Sequence, residues 1–359
     1  MTASSDTRGS VAGWLDAGVR SLYPGYFALV MATGIISNAF WSLDFRVLSL
    51  ALLVVTVVVF PVLVVATVVR AVRHPRALWA DLVNPRLVFS FFTFVAAADV
   101  LGLQLFVRDL HGPAVALWLC ALVAWVLLSY FSFSVLTFLN TETSADVVHG
   151  GWLIAIVGTH SLALLGARVA PELGSFEDLA FVTVYALWGV GIVLYGIFVT
   201  LFSFRIFFVR VRAADLNPLF WVIMGAAAIA TNAGSTLIVT PPGLPFLESM
   251  HAFVDGTTLI LWAWATWWIP LLVIFGVWRY IVWHEPLVYH PMYWSLVFPL
   301  GMYTLATYRL SLAADFTPLQ TVSRVMIWVA FAAWAISLYG LLRSGGRSLR
   351  ARRAKGAVT

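Results

Sequence analysis

Residues 293–307 read Tyr-Trp-Ser-Leu-Val-Phe-Pro-Leu-Gly-Met-Tyr-Thr-Leu-Ala-Thr, a run apolar enough for a membrane but broken by Pro299 and Gly301 beside the bulky Phe298. A proline inside a helix removes one backbone donor and clashes with the carbonyl four residues earlier, so the helix kinks and a carbonyl is freed. Hydrocarbon tolerates such a break only under protein or beside a water-filled cavity. The stretch is therefore expected to face the interior, with an aromatic ring at its kink. Hydroxyls and amides recur in other apolar runs: Thr33, Ser37, Asn38, Thr93, Thr159, Asn232, Ser235 and Thr304. Oriented donors of this kind replace part of an anion's hydration while holding it weakly, which lets it leave again. No lysine or arginine stands clearly at mid-span among them, so a high-affinity anion site is not expected.

Three ionisable residues carry a second chemistry. An ionisable side chain within a membrane span is costly and by default functional, and Asp99 and His160 both fall in apolar runs. If the two approach one another, His160 takes up a proton in the physiological range and couples it to a passing dicarboxylate. The alternative is structural: Asp99 solvated at the outer end of its helix and His160 a neutral hydrogen-bonding group. Arg309 either snorkels to the interface, pairs with Asp315, or draws anions to a mouth.

The rest of the chain has to position these groups within a membrane. Of 359 residues 62% are hydrophobic and 10% charged, with a mean hydropathy of +0.95, where average globular chains carry about 25% charged residues. A polytopic membrane protein is expected. The single cysteine, Cys120, excludes an intramolecular disulfide. Metal-spaced His and Cys, phosphate-binding loops and nucleophile elbows are missing from the sequence, so neither an enzyme nor a cofactor is expected. The formal charge of +5 comes from arginine, with Lys355 the only lysine. On so apolar a chain basic loops signal topology and not a nucleic-acid partner.

A spanning helix needs roughly 20 mainly apolar residues. Ten stretches qualify, at about 24–40, 47–69, 87–106, 115–139, 151–170, 181–208, 219–239, 253–282, 292–312 and 322–342. They leave a short N-terminal segment (1–22), one membrane domain (23–342) and a basic tail (343–359). With both termini cytoplasmic, that side collects Arg8, Arg20, Arg70, Arg73, Arg76, Arg86, Arg205, Arg210, Arg212, Arg279, Arg343, Arg347, Arg350, Arg352, Arg353 and Lys355. The other side keeps Arg46, Arg108, Arg168, Arg309 and Arg324, so the cytoplasmic side is the more basic and an even number of spans is favoured. The polar groups fall on the odd-numbered stretches, whereas the second, fourth and tenth are nearly pure Leu, Val, Phe, Ala and Trp. Five helical hairpins in a ring are expected, odd helices inside and even helices against lipid. Close packing through small residues is the alternative use of the same positions.

Motifs along the chain resemble those of the tellurite-resistance/dicarboxylate transporter family, which includes bacterial tellurite-resistance proteins, fungal malate permeases and sulfite pumps, and the slow-type anion channels of plant guard cells. Similar segments are Pro24-Gly25-Tyr26-Phe27-Ala28-Leu29-Val30-Met31-Ala32-Thr33-Gly34, Phe91-Phe92-Thr93 with Val100-Leu101-Gly102, and Leu187-Trp188-Gly189-Val190-Gly191 with Leu194-Tyr195-Gly196. Trp221-Val222-Ile223-Met224-Gly225-Ala226, Trp267-Trp268-Ile269-Pro270 and Trp294 to Pro299 continue the series. The fifth stretch departs, reading Trp152-Leu153-Ile154-Ala155-Ile156-Val157-Gly158 where members often carry a proline.

The resemblance implies ten helices around a pore in each subunit, a homotrimer in the cell membrane, and a phenylalanine that plugs the pore; Phe298 stands at that position. It implies passage of small anions of the chloride, nitrate, malate or sulfite class. A channel for inorganic anions and C4-dicarboxylates is the first expectation. A proton-coupled dicarboxylate or sulfite carrier on the same fold is the alternative. Membrane lipid is the only other partner expected.

Overall fold

Long uncharged runs of Leu, Val, Ala and Phe leave the backbone no partners in hydrocarbon except its own groups, which selects helix. A computed structural model of the chain describes residues 11–140, 150–209 and 211–356, and among these every regular element is helical. The described residues form thirteen α-helices: α1 (Val11–Arg20), α2 (Ala28–Ser42), α3 (Arg46–Arg73), α4 (Pro75–Leu82), α5 (Phe92–Phe106), α6 (His111–Phe138), α7 (Ile154–Val169), α8 (Glu177–Phe208), α9 (Val222–Val239), α10 (Pro245–Glu248), α11 (His251–Val277), α12 (Trp294–Ala313) and α13 (Pro318–Gly356). Arg8 and Arg210 lie outside the described residues, as do the side chains of Arg350, Arg352, Arg353 and Lys355.

Seven helical stretches among the described residues are long and apolar enough to cross a membrane, where the sequence pattern leads to ten. Two physical causes account for the difference. The fifth and sixth expected spans run on as one helical stretch, Gly150–Phe208, joined through a 3-10 segment (Ala170–Phe176) in which Gly174 turns to φ 54°. Only a residue without a Cβ enters that left-handed region freely. The other two, α2 and α12, carry so many hydroxyls, amides, tyrosines and glycines that they fall short of the apolarity of the rest.

Those polar-bearing helices are also the buried ones. Within their most apolar 18-residue windows, α5 is 83% buried and α9 89%, against 11% for α3 and 17% for α6 and α13. In α2 every residue from Ala28 to Phe40 is buried. The contacts follow the same division. The core helices pack in sequence, α2 on α5, α5 on α7, α7 on α9, α9 on α12, and α12 back on α2. Each also packs against the long helix that follows it: α3, α6, α8, α11 and α13 respectively.

Every one of the five core helices opens with a 3-10 turn: Pro24–Phe27, Val88–Phe91, Gly150–Leu153, Pro218–Trp221 and Pro291–Tyr293. Three of those turns begin with proline, whose fixed φ suits a first helical position and whose missing N–H would have no intrahelical partner there. Among the outer helices α8 follows directly on the 3-10 segment Ala170–Phe176, and α3 and α11 carry Pro61 and Pro270 in their interiors.

Candidate functional site

Pro299 is retained inside α12, where it has no N–H to give the Ser295 carbonyl. Its ring lies against α9: a Cβ on Gly225 would stand 2.7 Å from Pro299 Cγ. Two residues on, Gly301 lets α12 close on α2, since a Cβ there would stand 2.8 Å from Ile36 Cγ1. Between these contacts Phe298 is wholly buried. Among the described residues it stacks on no other aromatic ring, so packing alone holds it.

The hydroxyls and amides of the core helices divide into two sets. In the first, the polar atoms have hydrogen-bond partners, those of Thr33, Ser37 and Thr159 between a core and an outer helix and those of Thr93 and Thr304 within or between core elements. Thr33 donates to the Leu29 carbonyl at 2.7 Å and accepts the Trp334 indole N–H at 2.9 Å, so its hydroxyl turns towards α13. Thr159 donates to the Ala155 carbonyl and accepts the Trp125 N–H of α6, both at 2.8 Å. Ser37 donates to the Ser49 carbonyl of α3 at 2.7 Å, and Ser49 returns a bond to the Ser37 carbonyl at 2.8 Å. Thr93 bonds the Ser90 and Pro24 carbonyls, and Thr304 the Leu300 carbonyl. In the second set a buried polar atom lacks a partner: Asn38 Oδ1, Asn232 Oδ1 and Ser235 Oγ. The amide nitrogens of these asparagines reach the Val100 carbonyl (3.3 Å) and the Met302 sulfur (3.5 Å).

Tryptophan does more here than the interfacial role its abundance suggests. Besides Trp334 and Trp125, the Trp262 N–H of α11 donates to Thr307 at 3.0 Å. Trp118 of α6 donates to the Leu162 carbonyl, and Trp188 of α8 to the Ala230 carbonyl. Each bond ties an outer helix (α6, α8, α11 or α13) to a core helix. The signal for it was tryptophan placed inside a span instead of at its ends.

Asp99 and His160 turn to different neighbours. Asp99 Oδ2 accepts the Ser161 hydroxyl at 2.6 Å, linking α5 to α7, and Oδ1 is buried without a partner. His160 donates from Nδ1 to the Ile156 carbonyl at 3.1 Å. Its ring faces α8, where a Cβ on Gly191 would stand 2.6 Å from Cε1. No hydrogen bond joins the two residues; the partner of Asp99 is Ser161.

Arginines gather where the core helices end. Arg108, just beyond α5, donates to the Gln104 carbonyl at 2.7 Å and to Ser49 Oγ at 2.6 Å. Its guanidinium lies 4.3 Å from the centre of the Trp41 ring, and Arg46 lies 3.9 Å from the same centre. Both are within cation–π range. Arg46 also meets Asp44 at 2.7 Å. Arg309, half-buried towards the end of α12, has Arg168 of α7 as its charged neighbour and forms no ion pair with Asp315. At the opposite end, before α12, His290 Nδ1 accepts the Met292 N–H at 3.2 Å and so caps the 3-10 turn. Partial burial holds the His290 imidazole below its ordinary range. Among the described residues no group of three or more His, Cys, Asp or Glu is placed to hold a metal.

Residues 21–342 match a family described as voltage-dependent anion channel. The chain is similar to an uncharacterized transporter of Methanocaldococcus jannaschii, 23% identical over 327 residues that cover 89% of this chain and 94% of that protein. A sulfite efflux pump of Trichophyton rubrum is 22% identical over 318 residues, covering 80% of this chain and 81% of the pump. Over 158 residues, 43% of this chain and 80% of the relative, it is 39% identical to an uncharacterized membrane protein of Mycobacterium tuberculosis.

Proposed function

The chain belongs to the voltage-dependent anion channel family, and from that membership we propose that it passes small anions, inorganic or C4-dicarboxylate, along a path enclosed by α2, α5, α7, α9 and α12 and closed by Phe298. In this reading the ten long helices form five hairpins that all cross the plasma membrane, with both termini cytoplasmic, and the subunit works within a homotrimer. One returning helix separates each core helix from the next, so the five run in one direction. Their N-terminal turns then share one mouth, each contributing a partial positive charge equivalent to roughly half an elementary charge. Arg46, Arg108, Arg168 and Arg309 make the other mouth positive. Between the mouths the unpartnered Ser235 hydroxyl can donate to an anion, with Thr93 and Thr304 beside it. Asn38 and Asn232 would offer an anion their amide nitrogens only by releasing the Val100 carbonyl and the Met302 sulfur, and Thr33, Ser37 and Thr159 hold the wall together.

The observation that carries the reading is Phe298, wholly buried beside Pro299 in a core helix whose neighbours Gly225 and Gly301 permit close approach. A ring of that size fills a path between five helices, and its removal leaves a gap the size of an anion. Reconstitution into liposomes tests it: chloride, nitrate, sulfite and malate flux are measured under an imposed voltage, with Phe298→Ala beside the parent. Voltage-driven flux that rises in the variant supports the proposal; a parent and variant equally impermeable to all four anions count against it.

A second reading, a proton-coupled carrier of sulfite or dicarboxylate, is favoured by the unpaired Asp99 Oδ1 and by the similarity to a fungal sulfite efflux pump. Uptake that follows a pH gradient at zero voltage distinguishes the two.

A further inference from the structure

At the end of the molecule where α3 finishes and α5 begins, an apolar cavity of about 380 Å³ opens between α3, α5 and α6. Its walls include Phe27, Val68, Phe94, Ala124 and Leu128. Arg70 stands at its edge, almost wholly buried, bonded through NH2 to Asp81 at 2.7 Å and through Nε to the Arg20 carbonyl at 3.1 Å. Beyond Arg70 lies a second, open depression lined by Arg20, Arg73, His74 and Arg76. The two depressions are neighbours, an apolar slot and a basic cup: Leu22 lines the first and Arg20 the second, and the Arg20 carbonyl accepts from Arg70 at the edge of the first. Asp16 is the acidic residue of the cup, and it is engaged by His74 at 3.0 Å and approached by Arg73 at 3.9 Å. Arg20 and Arg76 have no ion-pair partner among the described residues.

We infer that this composite groove binds one anionic phospholipid, with an acyl chain along Phe27, Val68, Phe94 and Leu128 and the headgroup phosphate on Arg20 and Arg76. The charge arrangement selects the occupant. A second copy of the chain or a zwitterionic lipid fills the apolar slot but leaves two exposed guanidiniums without an anion, whereas a phosphate diester meets them with a charge-assisted bond to each. A basic cluster beside a membrane helix attracts anionic lipid in proportion to its charges. Trp79 on α4, exposed and edge-on to Phe131 of α6, sits beside the slot as interfacial tryptophans do. The inference requires only that α3 and α6 meet lipid, and it stands or falls apart from the role of Phe298.

Native mass spectrometry of the full-length chain in detergent tests it, with phosphatidylglycerol or phosphatidylcholine added to the delipidated protein. One phosphatidylglycerol per chain should be retained in preference to phosphatidylcholine. Replacing both free cations, R20Q with R76Q, should weaken phosphatidylglycerol retention by about thirtyfold, the combined effect of two charges at a membrane surface, and bring it to the phosphatidylcholine level. The separate Ala124→Trp variant fills the slot and should lower retention of both lipids. Equal retention of the two lipids by the parent overturns the proposal, as does retention untouched by either variant. Two further results overturn it: inorganic phosphate competing as well as the lipid, and an Ala124→Trp variant that changes subunit stoichiometry while lipid is still retained.

Discussion

The ring of Pro299 rests on Gly225, so that the helix carrying Phe298 is seated against α9 at the one residue type that leaves room for it. A methyl group at Gly225 would stand 2.7 Å from Pro299 Cγ, closer than real Cβ atoms come to a neighbour. Gly225→Ala is therefore expected to destabilise the fold by about 1–3 kcal/mol, the usual result of overpacking, and to displace the Phe298 segment. Thermal unfolding in detergent reads the first effect and anion flux the second. An alanine variant with parent stability shows that α9 and α12 are not in close register at this point.

The bond between Trp334 and Thr33 gives a different expectation. Both hydroxyl roles of Thr33 are filled, by Leu29 and by Trp334, so its hydroxyl acts between layers. A double-mutant cycle of Thr33→Val and Trp334→Phe should return a coupling of about 0.6 kcal/mol, the mean for such bonds in membrane helices. Anion flux through the single Thr33→Val variant should match the parent. A large loss of flux with no loss of stability would return Thr33 to the path.

Asp99 is held by one hydroxyl, that of Ser161 at 2.6 Å. Ser161→Ala removes it and leaves a buried carboxyl with no partner on either oxygen. The expected loss is about 1–3 kcal/mol, the desolvation penalty of an unsatisfied polar group. Asp99→Asn retains an acceptor for Ser161 and should be tolerated better. Equal stability of the two variants contradicts the assigned bond.

His290 makes the start of α12 sensitive to pH. Its Nδ1 must be unprotonated to accept the Met292 N–H, and partial burial lowers its pKa below the ordinary histidine value. A histidine depressed in the folded state binds more protons when unfolded, so its contribution is complete above the ordinary histidine pKa. That contribution declines as pH falls through the range between the ordinary and the depressed value. The protection of the Met292 and Tyr293 amides against hydrogen exchange, measured relative to the base-catalysed intrinsic rate at each pH, is expected to fall as pH drops from about 7.5 to about 5, the range that brackets histidine titration, and to lose that dependence in His290→Asn. Protection that is flat with pH in the parent contradicts the cap.

Much of the helical architecture was written in the distribution of polar residues. Hydroxyls and amides alternate with apolar runs from one long helix to the next, because a helix buried among others offers them partners that the outer face of an exposed helix does not. The same polar residues lower the apolarity of α2 and α12, and Gly174 lies where two expected spans run on as one helical stretch, which is why seven stretches among the described residues and not ten stand out as spans. Site detail was less legible. Composition cannot say which way a hydroxyl points, so the bonds of Thr33, Ser37 and Thr159 to tryptophan or serine on the outer helices were not visible in the sequence. Asp99 and His160 looked like a pair because both are ionisable. On the helix, His160 and Ser161 face different sides, and the side that meets Asp99 belongs to Ser161. The place of Pro299 inside a buried helix, with Phe298 buried beside it, was legible because a proline in mid-helix has few uses.

The most direct measurement is single-channel recording of Phe298→Ala beside the parent in a planar bilayer, with chloride and then sulfite on one side. If the Phe298 ring closes the path, anion current in the variant stands well above the parent at the same voltage, with Phe298→Leu between the two. Identical currents from parent and variant, both inserted and monodisperse, would remove Phe298 from the anion path.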